Sequence, residues 1–295
     1  MIKEQRRRKE RINERFSILI PSWNNLQFLQ ICVSSILKNA NYQHQIIVHV
    51  NDGSDGTLDW VKNHHNIDYT WSEENIGVCY ALNAMRNLAV TDYIAFVNDD
   101  MYLCPDWDLH LLNAITNRKD DLFFFSGTLI EPTFSNNACA IAPKNYGSNP
   151  QDFNEEKLLA EIDSITKKDW AGSTWPPNVV STRMWDLVGG YSTEFSPGMY
   201  SDPDFSKKLW DAGVRDFRGI GASKAYHFMS KTVGRITRND GRTQFLKKWG
   251  FTSATFVKFY LRRGEDYTGP MAEPKMTSAL KTKLFTSKLK RIFSS

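Results

Sequence analysis

Two adjacent carboxylates and an amide follow a hydrophobic run in the stretch FVNDDMYL, residues 96–103. Asn98, Asp99 and Asp100 therefore stand where a buried strand would end. Mg²⁺ and Mn²⁺ prefer oxygen ligands and commonly use one or two carboxylates together with substrate phosphates. The same residues would also serve as a polar turn after a strand. Whether these residues form a metal site or only a turn depends on what the rest of the sequence places near them.

Strand and helix patterns alternate over the first 120 residues. The predicted strands are FSILIPS, QIIVHVN, IDYTWSE and DYIAFVNDD, and the predicted helices are LQFLQICVSSILKN, TLDWVKNHH, NIGVCYALNAMRNLAV and DWDLHLLNAIT. This alternation predicts an α/β fold with a doubly wound, mostly parallel sheet. In such sheets ligands bind beyond the carboxyl ends of the strands. Residues 21–22, 51–52 and 98–100 would then line one rim.

The second half of the chain is less regular. DLFFFSGTLI predicts a strand, residues 131–153 a long loop and NEEKLLAEIDSI a helix. The change near residue 120 divides the chain into a basic N-terminal extension (1–15), a first half (16–120), a second half (121–260) and a basic amphipathic C-terminal tail (261–295). The two terminal segments are expected to be helical.

The net charge of +4 is unevenly distributed. Residues 1–16 carry seven basic and three acidic residues, and residues 274–295 carry six basic residues and no acid, so the body between them is acidic. A nucleic-acid-binding function would rest on the two ends alone, and we predict no nucleic-acid partner.

Cysteine usage and hydropathy indicate the compartment. The four cysteines lie far apart without a CxxC pair, which predicts buried free thiols in a reducing environment. The N-terminus lacks the apolar segment of a signal peptide, and no apolar run approaches the roughly 18 residues of a membrane span. The sequence therefore predicts a cytoplasmic protein.

Six motifs, in this order and spacing, resemble family 2 glycosyltransferases of the GT-A fold. They are SILIPSWN, VNDGSDGT, NIGVCYALN, FVNDD, VGGYSTEF with SDPDF, and YHF. The resemblance runs from about residue 16 to 240. It implies a nucleotide-sugar-binding first half, an acceptor-binding and catalytic second half, and a metal-dependent, inverting sugar transfer.

The resemblance implies a nucleotide site at the first three strand ends. Asp52 would accept a hydrogen bond from the imide of a uracil- or thymine-type base, because a carboxylate only accepts. Pro21, Ser22 and Trp23 would form the opposite wall. Gly77 would let the start of a helix approach the phosphates. Asp-Gly-Ser-Asp-Gly also forms a tight turn unaided, and the glycine also suits an ordinary loop-to-helix junction.

NDD corresponds to the family's metal-binding DxD motif. Asp100 matches its last acid and is expected to bind Mn²⁺ or Mg²⁺, while Asp99 would face the ribose or a metal-bound water. Asn98 replaces the usual first Asp, which removes one negative charge. This substitution is interpreted as a tolerated variation at a working site.

His227 in YHF looks like a family histidine that reaches the metal or the diphosphate. Imidazole is a suitable ligand for Mn²⁺ and less natural for Mg²⁺, and a structural histidine is the alternative. Lys231 and Arg235 would share a face with His227 if this segment is helical, and would neutralise phosphate. The aromatic residues of WPPN (175–178) and Trp185 lie where an acceptor sugar would sit, although Trp185 also fits a core position.

SDPDF aligns Asp202 with the family's catalytic base, while Ser201 replaces the preceding acid. Asp202 before Pro203 also makes a good N-cap, and a helix start would lower its pKa. Asp204 is the alternative base. The implied donor is UDP- or dTDP-linked rather than GDP-linked, and the implied acceptor is a saccharide or lipid-linked saccharide used in cell-surface polysaccharide synthesis.

Two other functions fit parts of the pattern. A sugar nucleotidyltransferase also uses metal-bound acids, but it would be expected to carry a Gly-rich basic phosphate loop, which SILIPSWNN lacks. A non-catalytic nucleotide-sugar-binding partner is suggested by the two losses of acid, Asn98 and Ser201.

The basic tail offers a second kind of partner. Its apolar residues fall near a helical stripe among lysines: Leu280, Leu284, Phe285, Leu289, Ile292 and Phe293. A basic amphipathic segment of this kind can lie on an anionic membrane surface, in this case the inner face of the membrane. A solubilising end is the alternative.

Overall fold

One ten-stranded sheet joins both halves of the chain in the computed structural model, which describes residues 1–6, 13–230 and 239–293. The strands are β1 (Lys3–Gln5), β2 (Phe16–Trp23), β3 (Gln45–Asn51), β4 (Ile67–Ser72), β5 (Tyr93–Phe96), β6 (Met101–Leu103), β7 (Phe123–Ile130), β8 (Trp170–Ala171), β9 (Asn178–Ser181) and β10 (Asp216–His227). The α-helices are α1 (Leu26–Asn39), α2 (Thr57–Asn63), α3 (Gly77–Arg86), α4 (Trp107–Thr116), α5 (Glu155–Glu161), α6 (Thr182–Leu187), α7 (Ser201–Asp211), α8 (Gly241–Trp249), α9 (Ser253–Thr255) and α10 (Ser278–Ile292).

The strand order is β1-β4-β3-β2-β5-β9-β7-β10-β6, with β8 paired to β10. The pairs β2·β3, β3·β4, β2·β5 and β7·β10 are parallel. The strand β9 runs antiparallel to both of its neighbours, β5 and β7. Six strands therefore point the same way, namely β4, β3, β2, β5, β7 and β10. This arrangement confirms the prediction of a doubly wound, mostly parallel sheet.

Side chains of the central strands alternate between two buried faces. Ile18 and Ile20 pack on one face with α1, α2 and α4, while Leu19 packs on the other with α3, α6 and α7. A strand covered on both faces reads as a continuous apolar run, which is why FSILIPS predicts β2 so clearly.

Three expectations on secondary structure were wrong. Lys3–Gln5 form an edge strand paired with β4, where a terminal helix was expected. The segment before and including His227 is the strand β10, so the expected helical face does not begin there. Asp202 is not the N-cap of α7, because the helix already begins at Ser201 and Tyr200 occupies the cap. Lys231 and Arg235 lie outside the described residues.

The carboxyl ends of the parallel strands meet at one rim of the sheet, as predicted. The short strand β6 then doubles back along β10, pairing Met101 with His227. The N–H of Phe228 donates to the carbonyl of Asp100 at 3.1 Å. This pairing brings together two motifs that lie more than a hundred residues apart in sequence.

All four cysteines are buried free thiols, which confirms that prediction. In the described residues no helix is long and apolar enough to cross a bilayer.

Candidate active site

A cavity of about 650 Å³ opens at the rim of the sheet, between the two halves of the chain. It collects nine of the ten site residues predicted from sequence: Pro21, Ser22, Trp23, Gly77, Asn98, Asp99, Asp100, Asp202 and His227. Asp52 is the predicted residue that does not line it. Several other residues that line the cavity were not predicted as site residues, among them Asn51, Glu131 and Met199.

His227 stands between two carboxylates at the bottom of this cavity. Its Nε2 lies 3.4 Å from Oδ2 of Asp100, and its Nδ1 lies 3.5 Å from Oε1 of Glu131. Asp100 also accepts a hydrogen bond of 2.9 Å from the N–H of Ser230, and Glu131 accepts one from the hydroxyl of Ser135. The three side chains therefore form one connected polar cluster.

Glu131 follows β7 directly, so it occupies a strand end just as Asn98–Asp100 do. The rule that placed those residues at the rim also applies to the acid in LIEP. Sequence analysis assigned residues 131–153 to a loop and did not apply it.

Mutual attraction sets the charges of this cluster. Burial works to raise the pKa of Asp100, but the charge and hydrogen bond of His227 and the groups of Ser230 lower it. Burial works to lower the pKa of His227, but Asp100 and Glu131 raise it to about 9. The cluster is thus an ion-paired arrangement of two carboxylates and one imidazolium, and a cation that bound to Nε2 of His227 would displace the proton from that nitrogen.

The donor set fits a divalent cation that also uses substrate oxygens. Among the described residues, no group of three His, Cys, Asp or Glu side chains is placed to hold a metal. Asp100 and His227 nevertheless offer one carboxylate and one imidazole side by side. Divalent cations such as Mg²⁺ commonly complete their coordination with phosphate oxygens and water. Glu131 faces the other ring nitrogen, as the carboxylate partner of a ligating histidine usually does.

Ser22 carries an unsatisfied polar atom on the wall of the cavity next to Trp23. It is 2% exposed, and its hydroxyl has no hydrogen-bond partner among the described residues. An unpaired buried hydroxyl is costly, so a ligand that completes it gains affinity. This observation favours a ligand contact at Ser22, next to Trp23.

Asp52 lies in the loop beyond β3 and holds that loop together. Its Oδ2 accepts from the side-chain amide of Asn24 at 2.8 Å, and its Oδ1 accepts from the N–H of Ser54 at 3.2 Å. Its neighbour Asn51 does line the cavity. Recognition of a base by Asp52 remains a prediction.

Gly77 begins α3 with a positive φ of 78°. A Cβ there would lie 2.6 Å from Cα of Pro197 and 2.5 Å from Oγ of Ser196. The N–H groups of Ile76, Gly77 and Val78 already donate to protein oxygens. The glycine therefore serves the close contact between the two halves, and the backbone groups expected to bind phosphate are occupied.

Asp202 reaches the cavity from the first turn of α7. The hydroxyl of Tyr191 donates to its Oδ1 at 3.2 Å. Burial raises the pKa of Asp202 to about 7, and the hydrogen bond from Tyr191 offsets part of this shift. The expectation that the helix start would lower this pKa was wrong, because desolvation of the carboxylate outweighs the field of the helix.

Asp204, the alternative base, points into the protein. It is fully buried, accepts hydrogen bonds from Ser192 at 2.6 Å and from Trp249 at 2.8 Å, and pairs with Lys248 at 2.9 Å. It does not line the cavity. Its carboxylate ties α7 to α8.

The two candidate tryptophans have different surroundings. Trp185 is 2% exposed and packs against Tyr191 and Phe205, so it is a core residue. Trp175 lines the cavity, and the guanidinium of Arg263 lies 3.9 Å from its ring centroid. Of these two tryptophans, Trp175 is therefore the one with a surface on the cavity.

Fold and cavity together define an α/β protein of the GT-A type. S. aureus TarS 1–349 matches with a TM-score of 0.58 at 14% identity, covering 95% of this chain and 72% of that one. A crystal structure of GalNAc-T7 with UDP, GalNAc and Mn²⁺ matches with a TM-score of 0.57 at 13% identity, covering 84% of this chain and 50% of that one. At these identities the likeness establishes the fold alone.

Sequence comparison supplies the family. The profile described as "Glycosyl transferase family 2" matches residues 17–165, about half of the chain. The chain therefore belongs to glycosyltransferase family 2. "Glycosyltransferase GlyA" of Streptococcus pneumoniae serotype 4 is 27% identical over 115 residues, which cover 38% of this chain. The match spans 16% of the length of that relative.

Proposed function

We propose that this protein transfers a hexosyl-type sugar, with inversion, from a nucleotide diphosphate sugar to a hydroxyl of a saccharide or lipid-linked saccharide. The observation that carries the proposal is the position of Asp202. Its carboxylate opens into the same cavity as Asp100 and His227, and its pKa of about 7 suits proton abstraction near neutrality.

Asp202 would act as the general base. As the acceptor hydroxyl attacks the anomeric carbon, its proton passes to a carboxylate oxygen of Asp202, and the nucleoside diphosphate leaves from the opposite face of the sugar. Tyr191 is 1% exposed and stacks on Phe205, so its hydroxyl holds Asp202 in a fixed orientation. Inversion rests on the family resemblance and on this single base.

Asp100 and His227 would hold Mn²⁺ or Mg²⁺, with Mn²⁺ favoured by the imidazole. When bound, such an ion would neutralise charge on the departing diphosphate. Asp99 and Asn98 line the same part of the cavity and would face the ribose or the phosphates.

The donor is proposed to be UDP- or dTDP-linked. The unsatisfied hydroxyl of Ser22 and the ring of Trp23 favour a nucleoside on that wall, and Asp52 remains the candidate for reading the base. A structural neighbour, TarS 1–349, has been crystallised with UDP-GlcNAc and with UDP, at 15% and 13% identity to this chain.

The acceptor is proposed to bind beside Trp175, on the wall formed by the second half of the chain. Aromatic faces suit sugar rings, and Arg263 holds the Trp175 ring in place. We assign the reaction to cell-surface polysaccharide synthesis in the cytoplasm, at the inner face of the membrane.

The test is donor turnover by the full chain. UDP-, dTDP- and GDP-sugars are screened by thermal shift with and without Mn²⁺, and stabilising donors are assayed for hydrolysis and transfer. We expect stabilisation by a uridine or thymidine donor and Mn²⁺-dependent turnover that Asp100→Ala lowers about 100-fold or more, since such an ion contributes several kcal/mol.

Two outcomes would contradict this proposal. Donor binding without turnover in either assay would indicate a non-catalytic binding partner. Release of diphosphate from a nucleoside triphosphate and a sugar phosphate would indicate a nucleotidyltransferase. A guanosine preference would leave transfer standing but contradict the role given to Asp52.

A further inference from the structure

The helix α10 carries two separate apolar faces. Leu280 and Ser287 are buried, and Leu284, which shares their face at helical spacing, is half-buried. Phe285, Leu289 and Ile292 repeat the same spacing five residues further on, but they are 62%, 41% and 69% exposed. The sequence suggested one stripe, and the structure divides it into an inner and an outer face.

The inner face fixes α10 to the body of the protein. The helix packs on α8 and α9, the guanidinium of Arg291 lies close to Gly250 at the end of α8, and Leu289, at the edge of the stripe, lines a groove with Leu246 of α8. The side chain of Thr277 caps the helix by accepting from the N–H of Leu280. The helix is therefore held in one orientation by its inner face, and its outer face remains exposed.

We propose that the outer face of α10 docks on an anionic lipid membrane. Lys281 and Lys288, seven residues apart, flank the exposed stripe on one side, while Lys283 and Lys290 lie further round the helix. All four are exposed. An apolar stripe bordered by lysines lies in the membrane interface, with the apolar side chains below the headgroups and the ammonium groups beside the phosphates.

The positive charge of the C-terminal segment favours an anionic membrane over a second copy of the protein as the partner of this face. Residues 274–295 carry six basic residues and no acid. A second copy of the same helix would bring these cations against each other, whereas an anionic leaflet attracts them.

The position of α10 connects docking to the cavity. The helix α8, on which α10 packs, begins against Met199, because a Cβ on Gly241 would lie 2.1 Å from the carbonyl of that residue. Met199 lines the cavity near Asp202. The helix α10 is thus connected to the cavity-lining residue Met199 through one helix, α8. This inference deepens the proposed function by assigning a lipid-linked acceptor held in the same membrane.

The test is co-sedimentation of the full chain with vesicles, in the absence of donor and acceptor. We expect binding to vesicles of phosphatidylcholine with phosphatidylglycerol, loss of binding in high salt and none to phosphatidylcholine alone. Phe285→Ser with Ile292→Ser should weaken binding more than tenfold. Lys281→Gln with Lys288→Gln should weaken it about 25-fold, since each lysine near the surface represents about fivefold.

Leu187→Ser is the matched control, because Leu187 is an exposed apolar residue, 62% exposed, on a different helix. It should bind as the wild type does. Failure of the wild type to bind anionic vesicles, or equal binding by the Phe285→Ser/Ile292→Ser variant, would overturn the proposal. So would a wild-type dimer that this variant converts to a monomer. Donor hydrolysis in solution does not need a membrane, so its loss or retention separates this inference from the proposed function.

Discussion

Asp202 and Asp204 stand two residues apart in the first turn of α7, and their carboxylates lie in opposite surroundings. Asp202 faces the cavity with one hydrogen bond from Tyr191. Asp204 is fully buried among Ser192, Trp249 and Lys248. One acid is therefore placed for chemistry, and the other ties two helices together.

Replacing the proposed base should stop transfer while leaving donor binding intact. General base catalysis contributes about 100- to 10,000-fold, so Asp202→Asn should lower the transfer rate by that factor with little change in the donor Kd. The wild-type kcat/KM should rise with pH and level off above about 7, because the base must lose its proton. A flat profile between about pH 5.5 and 8.5 would place the base elsewhere.

The same two acids should have opposite effects on stability. The folded pKa of Asp202, about 7, lies above its unfolded value, so the folded state binds more protons between those values and loses stability as pH rises through that window. Asp202→Asn removes this loss and should stabilise the protein by up to about 4 kcal/mol at pH 8, since the pKa is raised by about three units and each unit corresponds to ~1.4 kcal/mol, with little effect near pH 4.

Asp204→Asn is the matched comparison at pH 8. It removes the buried one of the two carboxylates that pair with Lys248, Glu194 being the other, and should destabilise the protein by roughly 2 kcal/mol. Urea unfolding of both variants at pH 5 and pH 8 measures these changes. Equal destabilisation by the two substitutions would show that both acids have structural roles.

Glu131 should set the affinity for metal by orienting His227. Loss of such a carboxylate partner typically weakens metal affinity 10- to 100-fold, so Glu131→Gln should weaken Mn²⁺ binding within that range. Titration of the protein with Mn²⁺ in the presence of UDP, followed by electron paramagnetic resonance, measures it without turnover. Ser135→Ala removes a neighbouring contact of Glu131 and should have a smaller effect. Unchanged Mn²⁺ affinity in Glu131→Gln would remove this role.

Gly77 should be intolerant of a side chain because of its neighbour and not only its φ. Gly77→Ala places a Cβ 2.6 Å from Cα of Pro197, whereas Gly189→Ala, at a similar positive φ of 72°, meets nothing within 4 Å. Both should incur the strain of the left-handed region, about 1 kcal/mol. Only Gly77→Ala should add a further 1–3 kcal/mol of overpacking and weaken donor binding. Equal thermal shifts for the two variants would show that backbone conformation alone decides.

Local sequence patterns predicted the site where chain direction alone decides position. The ends of parallel strands meet at one rim, so Ser22, Asn98 and Asp100 could be placed together from the alternation of strands and helices. Glu131 follows from the same rule and was missed because the strand before it opens into a long, irregular loop.

Other features depend on neighbours that are remote in sequence. Both Trp185 and Trp175 were candidates for contact with an acceptor, and packing shows that Trp185 lies in the core and Trp175 on the cavity. The pKa of Asp202 was predicted to fall because the helix start is visible in sequence. It rises because the surroundings that desolvate it come from elsewhere in the chain.

By itself, then, the sequence determined the strands β2, β3, β4, β5 and β7, the family motifs, and the acids and histidine that those motifs supply. Hydrophobic periodicity and strand direction are local properties, and short patterns record them. The tertiary structure decided which of two nearby acids faces the cavity, which residue holds His227 and which face of α10 is exposed. Those outcomes depend on burial and on contacts between remote segments, and only the packed chain brings them together.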